Sequence, residues 1–210
     1  MVKKLLLFAV IFLVLAGFAF SQEDNTFPRH GLSIDAGGTM STLFMSALMQ
    51  SYGGTDYLLG SAVQYEFQIN EHLSTALRFE YKILNTTIDE MTTMSLGGHF
   101  RWYPNKGIFF LDGMIGYATL TGSRRDEVMP ISHYLKFGTR LGWRIDFGSP
   151  RGIFIEPSLG YYGVIGQTNY AMDYDESDFW STFLGSMDEL FIRGYFVGGP
   201  CVSFAIGFRF

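Results

Sequence analysis

Apolar and polar residues alternate along much of this chain, with the two-residue period that an extended strand imposes on its two faces. At 201–210 the order C-V-S-F-A-I-G-F-R-F puts Val202, Phe204, Ile206, Phe208 and Phe210 on one face and Cys201, Ser203, Ala205, Gly207 and Arg209 on the other. One face is greasy and aromatic, and the other is small or charged. Seven earlier stretches repeat the pattern. Leu32, Ile34 and Ala36 alternate with Ser33, Asp35 and Gly37. Over 59–69, Val63, Tyr65, Phe67 and Ile69 face away from Gln64, Glu66 and Gln68. Over 73–83, Leu77, Phe79, Tyr81 and Ile83 oppose Arg78, Glu80 and Lys82, and over 94–103, Leu96, Phe100 and Trp102 oppose His99 and Arg101. The stretch 108–120 sets Phe109, Leu111, Ile115 and Tyr117 against Asp112, Met114 and Gly116. The clearest run, 132–147, sets Leu135, Phe137, Leu141, Trp143, Ile145 and Phe147 against Lys136, Gly138, Arg140, Gly142, Arg144 and Asp146. In 152–164, Ile153, Ile155, Leu159 and Tyr161 oppose Glu156, Ser158 and Gly160; Pro157 in mid-strand lacks a donor and predicts a bulge or weak pairing.

Eight strands result, and the connections between them are expected to alternate long and short. Short turns fall at 70–72, 104–107 and 148–151, the second marked by Pro104-Asn105-Lys106-Gly107. Longer connections fall after Gly37, at 85–93, at 121–131 and at 165–198. In the first of these Leu43, Phe44, Ala47 and Leu48 have helical spacing behind Ser41 as a cap, which predicts a short interfacial helix or an extension of the first strand. Even-stranded outer-membrane barrels have this asymmetry, with short turns inside and longer loops outside. Outward Trp102, Phe109, Trp143, Phe147 and Phe210 gather near the short-turn end, while Tyr81, Tyr117 and Tyr161 lie near the other, as two interfacial aromatic girdles would. The prediction is an all-β, eight-stranded antiparallel up-and-down transmembrane β-barrel, whose closure leaves no unpaired edge in hydrocarbon.

Composition agrees with a surface that needs little water: 17% charged, 17% aromatic, and 25 glycines in 210 residues. Residues 1–21 have the parts of a secretory signal, with Lys3 and Lys4, an apolar run to Phe20 and Ala19-Phe20-Ser21 as the cleavage site, leaving 22–210 as the barrel. An apolar run of this length is short for a retained spanning helix. Removing that leader takes 15 basic residues to 13 against 20 acidic ones, so the net charge goes from -5 to -7 and nucleic acid is not an expected partner. The single cysteine, Cys201, has no intramolecular disulfide partner.

The chain from about residue 30 to 210 resembles the small outer-membrane barrels of the OmpA and OmpX type. The resemblance lies in the eight alternating segments and the closing strand that ends on Phe208 and Phe210. It implies an outer-membrane location with both termini periplasmic, the lipid bilayer as surroundings, and recognition of Phe210 and Phe208 by the barrel-assembly machinery.

The inward positions carry the acids Asp35, Glu66, Glu80, Asp112, Asp146 and Glu156 and the bases Arg78, Lys82, Arg101, Lys136, Arg140, Arg144 and Arg209. An eight-stranded barrel is just wide enough for side chains to fill, so these charges are expected to pair across the lumen as a polar core. Histidines raise an enzymatic alternative, because some small barrels modify lipid A or cleave peptides. His72-Leu73-Ser74 matches the His-x-Ser of lipid A deacylases but falls at a short turn. Ser132 and His133 are adjacent and so point to opposite faces, and His99 points inward beside Arg101. No nucleophile, base and orienting acid converge, so no enzyme and no cofactor are expected. Asp173, Asp175, Glu176 and Asp178 lack the glycine and distant glutamate of a calcium loop, and Phe179, Trp180, Phe183 and Leu184 beside them mark a binding surface or a cover for the barrel mouth. The expected function is a filled barrel with a structural or surface-binding role through its long loops and an unidentified extracellular ligand. The alternatives are a narrow channel for small or apolar solutes and a lipid A-modifying hydrolase or protease. A lipocalin-like soluble barrel would need the apolar face inside.

Overall fold

The computed structural model describes residues 30–35, 57–85, 89–104, 108–124, 127–147, 151–167 and 192–210. Its strands are β1 (His30–Asp35), β2 (Tyr57–Gln68), β3 (Leu73–Asn85), β4 (Asp89–Trp102), β5 (Phe109–Arg124), β6 (Glu127–Val128), β7 (Ser132–Trp143), β8 (Ile145–Phe147), β9 (Gly152–Gln167) and β10 (Gly199–Arg209). Two of these are not separate staves. The two-residue β6 pairs only with the far end of β5, and β8 continues β7 past Arg144 in the same register against β9. Eight antiparallel staves remain, each paired with its neighbours in sequence, and β1 pairs with both β2 and β10. That last pairing closes the sheet into an up-and-down barrel. At the seam His30 and Phe210 exchange backbone hydrogen bonds of 3.3 and 3.0 Å.

The alternation decides which face is inside. Ile34, Leu77, Leu96, Phe100, Leu111, Ile115, Phe137, Leu159, Val202 and Ile206 are exposed on the outer wall, Ile115 at 63%. Their neighbours Asp35, Arg78, Ser95, Arg101, Asp112, Lys136, Ser158 and Ser203 are buried in the lumen. In the register Leu77 lies opposite both Tyr65 and Gly98 and Phe137 opposite both Ile115 and Gly163, so the outward positions form continuous rows around the wall.

Two expected connections differ from the structure. The stretch 85–93, read as a polar loop, is mostly strand: β3 runs to Asn85 and β4 begins at Asp89. Likewise β5 runs to Arg124 and β9 to Gln167, so the expected loop at 121–131 largely becomes the hairpin of β5 with β6. The reason is a change of lining. Toward this end the lumen becomes apolar, with Leu84, Met91, Leu120 and Tyr134 buried inside, and alternation of polarity disappears while alternation of geometry continues. The strict long and short alternation therefore does not hold, although the connections at 36–56 and 168–198 remain long. The expected helix near Ser41 lies outside the described residues.

Pro157 interrupts one ladder without shifting it. The pairs between β7 and β9 stop at Gly142 with Ser158 and resume at Ile145 with Ile155 in unchanged register, so weak pairing is present and a bulge is not. On its other side Pro157 stays in register opposite Phe204. Across the gap the amide of Arg144 donates to the Ile108 carbonyl at 2.7 Å, which keeps this stave joined to β5. Asp146, expected inside, sits at the lip. Its side chain is 34% exposed and lies 3.5 Å from Arg209.

Candidate functional site

Among the described residues the ion pairs of the lumen fall into three groups, and Arg101 is the centre of the largest. From the end of β4 its Nη1 donates to Glu66 on β2 and to Glu156 on β9, both at 3.1 Å to the nearer oxygen. Its Nε donates to Asp112 on β5 at 3.1 Å, and its Nη2 to Gln64 at 3.1 Å. One side chain thus ties together strands on opposite walls. Arg144 donates to both Glu66 and Glu156. Arg140 donates to Asp112 at 2.5 Å, and Arg78 to Asp35 at 2.5 Å. Asp35 also accepts from the Ser203 hydroxyl at 2.5 Å and the Phe204 amide at 3.2 Å, linking the first and last staves. Glu80 takes two ammonium groups, Lys136 at 2.7 Å and Lys82 at 3.0 Å. Charges buried this fully are tolerable only when paired, because an isolated one loses its hydration without return.

Toward the short-turn end the network rests on an aromatic floor. Tyr103, Phe110 and Phe154 are all buried, at inward positions next to the turns. The guanidinium of Arg101 lies 4.6 Å above the Phe110 ring, and that of Arg144 lies 4.6 Å from Phe154 and 5.2 Å from Tyr103. Planar guanidinium groups stack on such rings while still donating in their own plane. The Tyr103 hydroxyl returns a hydrogen bond to Glu66 at 2.8 Å. The turn below holds the floor in place, since the Tyr103 amide donates to the His72 carbonyl at 2.7 Å and His72 Nδ1 donates to the Tyr103 carbonyl at 2.8 Å.

The opposite end is stopped by chain entering from the last connection. A π-helical segment, Ile192–Val197, precedes β10 and buries Phe196 and Val197 completely. They pack against Leu84, Met91, Ala118, Leu120 and Tyr134, with Met129 and Val164 at the edge of the cluster. Lys82 reaches up to donate to the Phe196 carbonyl at 3.3 Å, so the cork is tied to the charge network. The chain then turns into β10 through Gly199 at φ 79°, a conformation that costs glycine nothing.

The residues expected to form the lumen network, the girdles and the closing strand each have a definite place. Glu66, Arg78, Glu80, Arg101, Asp112, Arg140, Arg144 and Glu156 are all buried inside. Trp102, Trp143, Phe147, Tyr117 and Tyr161 are exposed on the outer wall, and Phe109 packs edge-on against Trp143 with centroids 5.9 Å apart. Tyr81 is half-buried on the outside of β3. Phe208 and Phe210 stack 6.4 Å apart, and Phe210 stacks on His30 at 5.8 Å. His30 extends that aromatic cluster through a 2.6 Å hydrogen bond to Tyr65.

Among the described residues the histidines do not assemble a catalytic group. Ser74, near His72 in sequence, is buried and donates to Glu66 at 2.5 Å, whereas His72 caps the turn. His133 is outside, stacked on Tyr117 and hydrogen-bonded to its hydroxyl, while Ser132 is buried. His99 Nδ1 donates to Asp112 at 2.9 Å deep in the network. Among the described residues no three ligating side chains are grouped as a metal site would require. The acidic and aromatic residues at 173–184 lie outside the described residues.

No protein-family profile and no curated relative matches the sequence. Among solved structures, the backbone of the Yersinia pestis outer membrane protein Ail in phospholipid bilayer nanodiscs is similar, with 12% identity, 87% of this chain and 99% of that chain covered, and a TM-score of 0.43. A likeness this distant adds nothing to the pairings above, on which the fold rests.

Proposed function

We propose that this barrel spans a bacterial outer membrane with its lumen closed, stabilising the envelope or presenting its long connections to ligands outside. One observation carries the proposal: the outer wall is apolar all round while the lumen is charged, the reverse of what a barrel in water requires. From Leu135 to Phe147 the outward side chains cover about 40 Å of strand. At the usual tilt of about 40° that is about 30 Å of height, close to the apolar band of such barrels. Trp102, Phe109, Trp143 and Phe147 then lie at the periplasmic interface and Tyr81, Tyr117 and Tyr161 at the outer one. The short turns face the periplasm, residues 1–21 direct export, and Phe208 and Phe210 are what the barrel-assembly machinery reads. The connections at 36–56 and 168–191 face outside and carry the surface-binding role.

The wall reading is tested by refolding the chain into vesicles whose lipids are brominated at known depths and measuring tryptophan fluorescence. Trp102 and Trp143 should be quenched most by bromines near the interface, and a Trp143→Phe variant should lose that part of the signal. Quenching no greater than in lipid-free detergent-shielded controls would remove the membrane placement.

A further inference from the structure

The buried lumen groups do not balance. Among the described residues six bases (Arg78, Lys82, Arg101, Lys136, Arg140 and Arg144) face five acids (Asp35, Glu66, Glu80, Asp112 and Glu156). The surplus can be located. Around the floor, Arg101 and Arg144 match Glu66 and Glu156, and Arg140 matches Asp112. Arg78 matches Asp35, but Glu80 alone serves both Lys82 and Lys136. Among the described residues one positive charge is therefore left over in the half of the lumen beneath the cork.

Three side chains that interact electrostatically with one another, Arg78, Arg140 and Tyr162, each carry a buried polar atom without a partner. The atoms are Arg78 Nε, Arg140 Nε and the Tyr162 hydroxyl. Tyr162 is only 3% exposed and lies within electrostatic reach of Arg140 and Arg78. Its ring is held against Lys136, whose ammonium is 4.6 Å from the centroid. Room for that ring is made by Gly138, where a Cβ would come within 2.6 Å of Tyr162 Cδ1. Two guanidinium N–H groups and one hydroxyl can all donate to one acceptor. A water molecule would satisfy some of them but would leave the charge uncompensated, and uncompensated buried charge is what protein interiors avoid.

We propose that the upper lumen holds one small monovalent anion, of halide size, bound by Arg78, Arg140 and the Tyr162 hydroxyl and neutralising the surplus shared between Lys82 and Lys136. The anion is a built-in part of the core, taken up as the barrel closes. It is independent of what the loops bind and of which membrane the barrel occupies.

The test uses the full chain, refolded in detergent in sodium bromide and crystallised from it. A single anomalous bromide peak inside the barrel, within contact of Arg78, Arg140 and Tyr162, is expected. In solution, urea titrations at constant ionic strength, with chloride or bromide exchanged for gluconate, should show stability rising with halide. Above the dissociation constant the folded-to-unfolded ratio should gain about tenfold per tenfold of halide, as linkage to one bound ion requires. Tyr162→Phe removes one charge-assisted donor and should raise the halide concentration needed for the same stabilisation by about tenfold. Lys82→Met removes the surplus charge and should abolish the lumenal bromide. Water density in place of bromide in the folded wild type, or a stability indifferent to halide, overturns the proposal. Bromide found only on the outer surface does the same.

Discussion

Replacing Glu66 is the sharpest perturbation of the charged lumen, because four side chains converge on it. Arg101 donates at 3.1 Å, Ser74 at 2.5 Å, Tyr103 at 2.8 Å, and Arg144 completes the set. Removing one member of a buried ion pair costs about 3 to 5 kcal/mol. Both arginines keep Glu156, so the lower end of that range applies to Glu66→Ala. Two buried hydroxyls also lose their acceptor, at about 1 kcal/mol each. The expected loss is about 5 kcal/mol, comparable to the whole stability of many domains. Glu66→Gln separates the two contributions. It keeps an acceptor for Ser74 and Tyr103 and removes the charge, so about 3 kcal/mol should be lost. With an m-value of about 2 kcal/mol per molar, the midpoint in urea should fall by about 1.5 M. The assay is reversible urea titration of the refolded barrel, followed by heat-modifiable migration and tryptophan emission. Asp175→Ala, in the last long connection, serves as the reference and should stay within about 0.5 kcal/mol of wild type. A Glu66→Gln midpoint indistinguishable from that reference would mean that the lumenal charges do not act as a core.

Other perturbations address the two ends and the wall. Gly138→Ala places a Cβ 2.2 Å from the Tyr161 carbonyl and 2.6 Å from the Tyr162 ring, and should lower stability by about 1 to 3 kcal/mol in the same titration. Phe196→Ala empties the centre of the apolar cork and should cost about 3 kcal/mol, read as an earlier thermal transition, with the arginine network below it intact. Phe210→Ser removes the ring stacked on His30 and Phe208 at the seam of β1 and β10 and should reduce the membrane-inserted fraction on expression. An undiminished heat-modifiable fraction would deny Phe210 a special role.

Below the apolar cork the barrel was legible in the sequence because polarity and geometry alternate together there. Arg78, Glu80, Asp112, Arg140 and Glu156 declare the inward parity of their strands, and residues between them follow. Phe154 shows the same logic without polarity. It lies between the outward Ile153 and Ile155, so it must point inward, and it forms part of the floor under Arg144. Parity fails where both faces carry similar side chains. Leu84 and Met91 line the lumen next to Ile83 and Thr92, and the strands there resemble loops until their pairing is seen. The cork was hidden for another reason: Phe196 and Val197 are buried by residues more than thirty positions away, and nothing local marks them. Pairing partners were equally out of reach. Arg78 with Asp35, or Arg101 with Glu156, depends on how far each stave is sheared against the next, which no single strand encodes.

Planar-bilayer recording of the refolded wild-type chain bears most directly on the closed lumen. Arg101, Arg144 and the floor of Tyr103, Phe110 and Phe154 block one end, and Phe196 and Val197 block the other. Inserted protein, verified by protease protection of the strands in the same vesicles, should give no stepwise current in molar salt. Reproducible single-channel openings from protein so verified would contradict the filled barrel and make it a pore.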